Sequence, residues 1–252
     1  MRSHHGNKEF WLAALRAEGP AFRTAVAAAD PGTSVPSCPE WTVAELTGHL
    51  VRLYTWVGGH VGRGVLTPPE ELAPTGPRTA TPAGFDQAYA ALLTRFDVLD
   101  PEMPAWNAAP QAKKVAYWQR RLAHDTSVHR WDAQMAATGI SEPLEAKLAA
   151  DVVSEVLDTL LPAGRGRRTA DRHGMVALSA TDLEHTWHIR LRESGGVALL
   201  DTDTILDDDD LHERVLAAGT ASDLALALWG RIGFDLLTVT GEQRLLECLR
   251  VG

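Results

Sequence analysis

An aspartate and a histidine stand four residues apart in the segment HDTSVHRWDA, which spans residues 124–133. Four residues make about one turn of an α-helix, so the side chains of Asp125 and His129 project from the same helix face. On a solvent-exposed face this pair would have little consequence. On a face turned toward a protein core, a carboxylate and an imidazole must be paired, hydrogen-bonded or bound to a metal.

The helix that contains this pair is predicted to turn both side chains inward. At 100° per residue, its apolar stripe covers roughly 80° and includes Asp125 and His129 together with Val115, Trp118 and Leu122. The arginines of this segment are predicted to point mostly away from that stripe; they are Arg120, Arg121 and Arg130. The acid and the histidine are therefore expected to face the core.

A second histidine occupies the core-facing stripe of another helix. In WTVAELTGHLVRLYTWVGGHV, Thr42 and Glu45 have the spacing of a capping box, which predicts a helix start. His49 follows Leu46 by three residues within the apolar stripe of this helix. His60, at the end of the same helix beside two glycines, is predicted to be exposed.

His49, Asp125 and His129 together make a candidate metal site. Two imidazoles and one carboxylate supply three ligands to a divalent ion and leave a position for water or substrate, as in catalytic zinc sites. The spacing alone leaves a second interpretation open. In that interpretation Asp125 forms an ion pair with an arginine, and backbone carbonyls satisfy both histidines within a buried polar network.

Four helical segments precede a region of mixed helices and strands. The first covers residues 7–29 with a break at Gly19–Pro20, a turn-rich segment DPGTSVPSCPE follows it, and proline-rich loops separate the later helices. This pattern predicts an up-and-down four-helix bundle over residues 1–145. Beyond it, GMVALSA and HTWHIRLR have the pattern of strands, with GGVALL as a hairpin partner. The predicted fold class is α+β, in which a smaller mixed α/β domain over residues 146–252 follows the bundle.

Composition and charge restrict the classes of partner. The 252 residues have a formal net charge of −9, and the pI is near 5.5. An acidic chain of this kind disfavours binding to nucleic acid or to an anionic membrane surface, since both require a basic face. The two cysteines make no disulfide framework, and no segment resembles a signal peptide or a membrane span. We therefore expect a cytoplasmic protein.

Two stretches of the chain resemble the signatures of the mycothiol-dependent maleylpyruvate isomerase family of actinobacteria. They are VPSCPEWTVAELTGHL at residues 35–50 and RRLAHDTSVHRWDAQ at residues 120–134. The LWGR at residues 228–231 and the GEQRLLECL near the C-terminus resemble the smaller second domain of that family. The resemblance implies a DinB-like metal-binding bundle followed by a sterol-carrier-like domain.

The resemblance also implies site residues. The family's metal ligands fall on His49, Asp125 and His129 of this chain. The family pattern has glutamate at the position of Asp125, and aspartate shortens the reach of the carboxylate by about 1.5 Å. An arginine with a role in the family's activity falls on Arg231, where it would hold an anionic substrate or thiol group. An arginine there also suits a different role, in which it complements the end of a helix.

The function implied by the resemblance is that of a metal-dependent enzyme. Its cofactors would be a divalent metal, zinc by default, and mycothiol or a similar low-molecular-weight thiol as cosubstrate. The reaction would be cis–trans isomerisation or S-transfer on a small electrophilic substrate, carried out by a monomer or a weak homodimer. Two alternatives stay open: a metal- or small-molecule-binding protein without turnover, and a metal-dependent hydrolase on the same bundle.

Overall fold

The computed structural model describes residues 6–110, 112–165, 173–192, 196–200 and 213–252. The chain divides into two units, and each is described by itself. The first comprises Gly6–Ala108 and Ala112–Glu142, and the second is built mainly from Pro143–Gly252. The helical first part and the β-rich second part confirm the predicted α+β class.

Four long helices form the first unit. They are α1 (Lys8–Ala28), α2 (Val43–His60), α3 (Pro82–Val98) and α4 (Val115–Thr138). α1 packs against α4, α2 packs against α3, and apolar residues of all four helices join one core. Fully buried side chains of this core include Phe22, Leu50, Tyr54, Phe96 and Leu122. This core places α2 and α4, which contain the candidate ligands, within one bundle.

α2 begins where the sequence predicts. The hydroxyl oxygen of Thr42 accepts a hydrogen bond from the backbone N–H of Glu45 at 3.3 Å, and the Glu45 carboxylate accepts one from the backbone N–H of Thr42 at 2.9 Å. This capping box satisfies two N–H groups at the helix start. The start of the helix is therefore fixed about two turns ahead of His49.

One local prediction for this unit is wrong, and one segment has more structure than predicted. α1 is continuous through Pro20, although proline removes one helical hydrogen bond. Leu15 and Phe22, on either side of it, are fully buried in the bundle core, and their burial favours the unbroken helix. The turn-rich segment before α2 forms a short hairpin of β1 (Ser34–Val35) and β2 (Cys38–Thr42), which pair antiparallel.

A five-stranded sheet lies at the centre of the second unit. Its strands are β3 (Gly174–Ala180), β4 (His185–Leu191), β5 (Val197–Leu200), β6 (Arg214–Gly219) and β7 (Thr238–Gly241), in the order β5-β4-β3-β6-β7. Neighbouring strands are antiparallel except β3 and β6, which are parallel. β5 pairs with β4, which confirms the hairpin predicted from GGVALL.

Helices pack against this sheet. α5 (Ala146–Glu155) continues into a π-helical turn at Val156–Leu160 and packs on α6 (Ala221–Leu228), which contacts β3 and β6. Along β4, Trp187, Ile189 and Leu191 are buried, as their alternation with polar residues predicts. In the part of the chain that the structure describes, no helix has both the length and the apolarity needed to cross a bilayer.

Candidate metal centre

The structure brings His49 of α2 together with Asp125 and His129 of α4. Nε2 of His49 lies 3.4 Å from Oδ2 of Asp125, and Nε2 of His129 lies 3.9 Å from the same oxygen. One possible ligand atom from each residue lies within 4.8 Å of the other two. The two imidazole rings have centroids 4.9 Å apart and an interplanar angle of 72°. Three donors from two helices therefore surround one point.

Burial differs across this cluster. The side chains of Asp125 and His129 are 6% and 5% exposed, whereas that of His49 is 29% exposed. Trp41 of β2 packs beside both imidazoles, with its ring centroid 5.0 Å from that of His49 and 6.0 Å from that of His129. The cluster is therefore closed on the α4 side and accessible beside His49.

Asp125 uses its two carboxylate oxygens differently. Oδ1 accepts a hydrogen bond from the guanidinium of Arg121, one turn earlier on α4, and Oδ2 faces the two histidines. Burial by itself raises the pKa of Asp125, but the charge of Arg121 and the contacts with His49 and His129 hold that pKa well below its ordinary value. Asp125 is therefore ionised at neutral pH and keeps one oxygen turned toward the cluster.

His129 is held by a second carboxylate. Its Nδ1 lies 2.8 Å from Oδ2 of Asp132, and Oδ1 of Asp132 accepts a hydrogen bond from the hydroxyl of Ser37 at 2.5 Å. A carboxylate at this position accepts from a protonated Nδ1, and in that tautomer Nε2 keeps its lone pair toward the cluster. Burial lowers the pKa of His129, while Asp132 and Asp125 act in the opposite direction.

These residues fit a bound divalent ion. The ligand atoms of a tetrahedral zinc ion lie about 3.3 Å apart. The two separations around Oδ2 of Asp125 are 3.4 and 3.9 Å, and all three ligand atoms lie within 4.8 Å of one another. The shorter reach of aspartate therefore still brings its oxygen to both imidazoles. The ion pair with Arg121 occupies only Oδ1, so it is compatible with ligation through Oδ2. The role of these three residues as ligands stays a prediction.

Sequence periodicity misplaces several polar side chains of this region. Arg121 and Arg130 are 7% and 2% exposed, although the stripe pattern turns them away from the core. His60, expected to be exposed, is buried beside the indole rings of Trp56 and Trp118, at centroid distances of 4.5 and 5.3 Å. Every residue of α4 from 121 to 133 is buried, so the helical period cannot separate an inner from an outer face there.

The metal-free protein is expected to lose stability as the pH falls below about 6.5. Burial lowers the pKa values of His60, His129 and His188 below their ordinary value of 6.5. The unfolded chain therefore takes up protons at a higher pH than the folded chain, and the free energy of unfolding decreases with falling pH. Urea denaturation of chelator-treated protein between about pH 7.5 and 5.5 measures this slope.

The His60→Gln protein is the control for this pH dependence. Because it lacks one of the three groups, its free energy of unfolding should change less steeply with pH than that of the parent. A free energy of unfolding that stays constant or rises between about pH 7.5 and 5.5 contradicts the prediction.

Arg231 lies in the second unit, three residues after the end of α6. Its backbone N–H donates to the carbonyl of Leu226, and its guanidinium donates to the carbonyl oxygen of Trp229 at 2.8 Å. The guanidinium carbon lies 5.6 Å from the centroid of the Trp229 ring. These contacts are typical of an arginine at a helix C-terminus, one of the two roles expected from the sequence. A role in holding an anion stays a prediction.

Comparison with known families finds a match for both units. Residues 12–134 match the family described as "Mycothiol maleylpyruvate isomerase N-terminal domain", and residues 147–247 match "MDMPI C-terminal domain". A search of curated protein sequences found no match.

Two similar solved structures have the same fold over nearly their whole length. One is a crystal structure of the mycothiol-dependent maleylpyruvate isomerase, with 15% identity, a TM-score of 0.57 and coverage of 96% of this chain and 97% of that chain. The other is a mutant of that isomerase with a histidine replaced by alanine, at 14% identity with the same TM-score and coverage. Because both units match the two domains of the family, the chain belongs to the mycothiol-dependent maleylpyruvate isomerase family.

Proposed function

We propose that this chain is a metal-dependent thiol enzyme similar to maleylpyruvate isomerase, which uses mycothiol or a similar small thiol to act on a small electrophile. The observation behind the proposal is the convergence of His49, Asp125 and His129, with Oδ2 of Asp125 within 3.9 Å of an imidazole nitrogen of each histidine. Membership of a family named for mycothiol and maleylpyruvate supports the choice of thiol and substrate.

His49, Asp125 and His129 would hold the divalent ion. We propose zinc, because imidazoles with one carboxylate form a known ligand set of catalytic zinc, and three protein ligands leave a further position open. When bound, the ion stabilises the thiolate form of a coordinating thiol at neutral pH. Asp125 supplies the negative charge of the set, and Asp132 keeps Nε2 of His129 free of its proton.

The surroundings of the cluster favour a reaction with a small thiol. His49 is the most exposed of the three side chains, and small molecules are proposed to reach the centre from its side. The buried α4 side excludes water from Asp125 and His129. Trp41 adds an apolar surface beside both imidazoles, against which an organic substrate can pack.

Isomerisation and S-transfer share their first step. The thiolate sulfur adds to one carbon of the substrate double bond, which becomes a single bond and can rotate. In isomerisation the carbon–sulfur bond then breaks and returns the thiolate and the trans isomer, so no thiol is consumed. In S-transfer the adduct takes up a proton and leaves as the product.

Arg231 is proposed to hold an anionic group of the thiol or of the substrate. Arg231→Met is expected to raise KM for that molecule by about tenfold or more, since a hydrogen bond to a charged group contributes about 1.5–3 kcal/mol. A smaller change in kcat is expected, because the lost interaction is one of binding. Steady-state kinetics with each substrate varied in turn measures both constants.

Arg250→Met is the matched control for Arg231→Met. Arg250 lies near the same end of the chain, with its guanidinium 4.9 Å from the centroid of the Phe234 ring. Its substitution should leave KM unchanged. Equal KM values for the parent and Arg231→Met, with both substrates, contradict the proposed role.

The proposed function is tested by metal analysis and by an assay of maleylpyruvate with mycothiol. We expect about one divalent ion per chain, and formation of the trans isomer that requires both the metal and the thiol. A stable carbon–sulfur adduct, detected by mass spectrometry, indicates an S-transferase. Thiol-independent hydrolysis of ester or amide probes, or stoichiometric metal without turnover of any substrate, overturns the thiol-enzyme proposal in favour of a hydrolase or a binding protein.

A further inference from the structure

We propose that Asp132 and Ser37 are positioning residues of the metal centre, which hold the ring of His129 so that Nε2, and not Nδ1, is presented to the ion. This inference depends on the proposed function, because it concerns the orientation of a proposed ligand. Each residue acts through its neighbour: Ser37 acts on Asp132, and Asp132 acts on His129.

A chain of hydrogen bonds leads from the hairpin to the imidazole. The Ser37 hydroxyl donates to Oδ1 of Asp132 at 2.5 Å, and Oδ2 of Asp132 accepts from Nδ1 of His129 at 2.8 Å. On the other edge of the ring, Nε2 of His129 lies 3.9 Å from Oδ2 of Asp125. The ring is therefore held between two carboxylates, with a different nitrogen facing each.

Burying the carboxylate of Asp132 costs free energy unless hydrogen-bond donors surround it. Asp132 is 0% exposed, and a carboxylate so far from water needs hydrogen-bond donors to remain in the fold. An apolar side chain of similar size would fill the same space without that requirement. Two donors, from the hairpin and from α4, meet this buried carboxylate. The buried carboxylate therefore fixes the orientation of its partner, the ring of His129.

The hairpin that contains Ser37 connects to both ligand helices. It lies in the turn between β1 and β2, 95 residues before Asp132 in the sequence. The same hairpin contains Trp41, whose ring packs beside His49 and His129. β2 leads directly into α2, the helix of His49. One short segment thus contacts the side chains that supply both nitrogen donors.

A carboxylate on Nδ1 has two effects on a ligating imidazole. It excludes the tautomer in which Nε2 has the proton and cannot bind a metal, and it makes Nε2 a more basic donor. Loss of such a partner typically costs about 10–100-fold in metal affinity. Ser37 acts one hydrogen bond further from the ring, so its loss should cost less than the loss of Asp132.

The test is the zinc affinity of the chelator-treated full chain, measured by competition with a chromophoric chelator. The variants are Asp132→Ala, Asp132→Asn and Ser37→Ala. The matched control is Asp86→Asn, which removes an exposed α3 carboxylate paired with Arg23. We expect Asp132→Ala to raise the zinc Kd about 10–100-fold and Asp86→Asn to leave it unchanged. Asp132→Asn should weaken binding less than Asp132→Ala, because its amide oxygen can still accept from Nδ1.

A second readout separates positioning from packing. Nitrogen-15 NMR of the metal-free parent should show His129 with its proton on Nδ1, and Asp132→Ala should show a mixture of tautomers. If Asp132→Ala does not fold, Asp132→Asn and Ser37→Ala serve in its place. A parent that binds zinc, with variants whose Kd agrees within about twofold, overturns this assignment and leaves the proposed function intact. A parent that binds no zinc overturns the proposed function.

Discussion

Replacing His129 by alanine is expected to yield a protein that purifies without stoichiometric divalent metal and has no thiol-dependent turnover. The substitution removes one of the three proposed ligands, and two donors do not complete a catalytic zinc site. The lost side chain is the ligand whose ring is held at both edges, by Asp132 and beside Asp125. The metal-free chain should still fold, with a free energy of unfolding lower by about 0.5–3 kcal/mol.

Two further variants make this result specific. His49→Ala should lose the metal with a smaller effect on stability, because His49 is 29% exposed. His60→Ala is the matched control: this buried histidine at the end of α2 packs against Trp56 and Trp118, outside the cluster, so its variant should keep the metal. Elemental analysis of proteins purified in parallel measures the metal content per chain. A His129→Ala protein that retains one ion per chain contradicts the site.

Arg130→Met is expected to lower the free energy of unfolding by about 3–5 kcal/mol, because it removes one partner of a buried ion pair. Nε of Arg130 on α4 donates to Glu18 on α1 at 2.7 Å, and the two side chains are 3% and 11% exposed. The same guanidinium donates to the carbonyl oxygen of Glu142, just beyond α4. The substitution leaves the Glu18 carboxylate buried without this cation and weakens the contact between α1 and α4.

Two controls for Arg130→Met come from the same chain. The double variant Glu18→Met, Arg130→Met removes both charges and should be more stable than the single variant, since an apolar pair can replace a buried ion pair at little cost. Arg23→Met, which breaks an exposed ion pair with Asp86, should cost about 0–1 kcal/mol. Urea denaturation of the parent and the three variants measures their free energies of unfolding. A double variant no more stable than Arg130→Met contradicts the importance of the pair.

Local spacing was sufficient to predict the elements that hold the cluster. The interval between Asp125 and His129 places both on one side of α4, and the Thr42–Glu45 capping box sets the start of α2. Both features depend on residues within one helical turn of each other, and helical geometry alone determines their relation. Predicting that His49 lies close to Asp125 required a further assumption, namely that both helices share one core.

The remaining contacts of the site lie beyond what spacing can predict. Ser37 reaches Asp132 across 95 residues, and a segment rich in turn-forming residues gives no sign of such a contact. The side chain of Arg121 is long enough to reach Asp125, one turn later on α4. The direction of the Cα–Cβ bond of Arg121 therefore does not predict where its charged group lies. His60 and Arg130 were misplaced because chain-wide packing, and not helical periodicity, buries them.

The ion pair between Arg121 and Asp125 also sets the charge of the ligand set. One guanidinium cancels one carboxylate, and imidazoles ligate as neutral groups, so these four side chains together add no net charge. The carboxylate of Asp132, behind His129, adds one negative charge, so a bound dication would keep one net positive charge in a largely buried cluster where fields are weakly screened. Such a centre attracts one negative charge, and the thiolate of a small thiol would supply it.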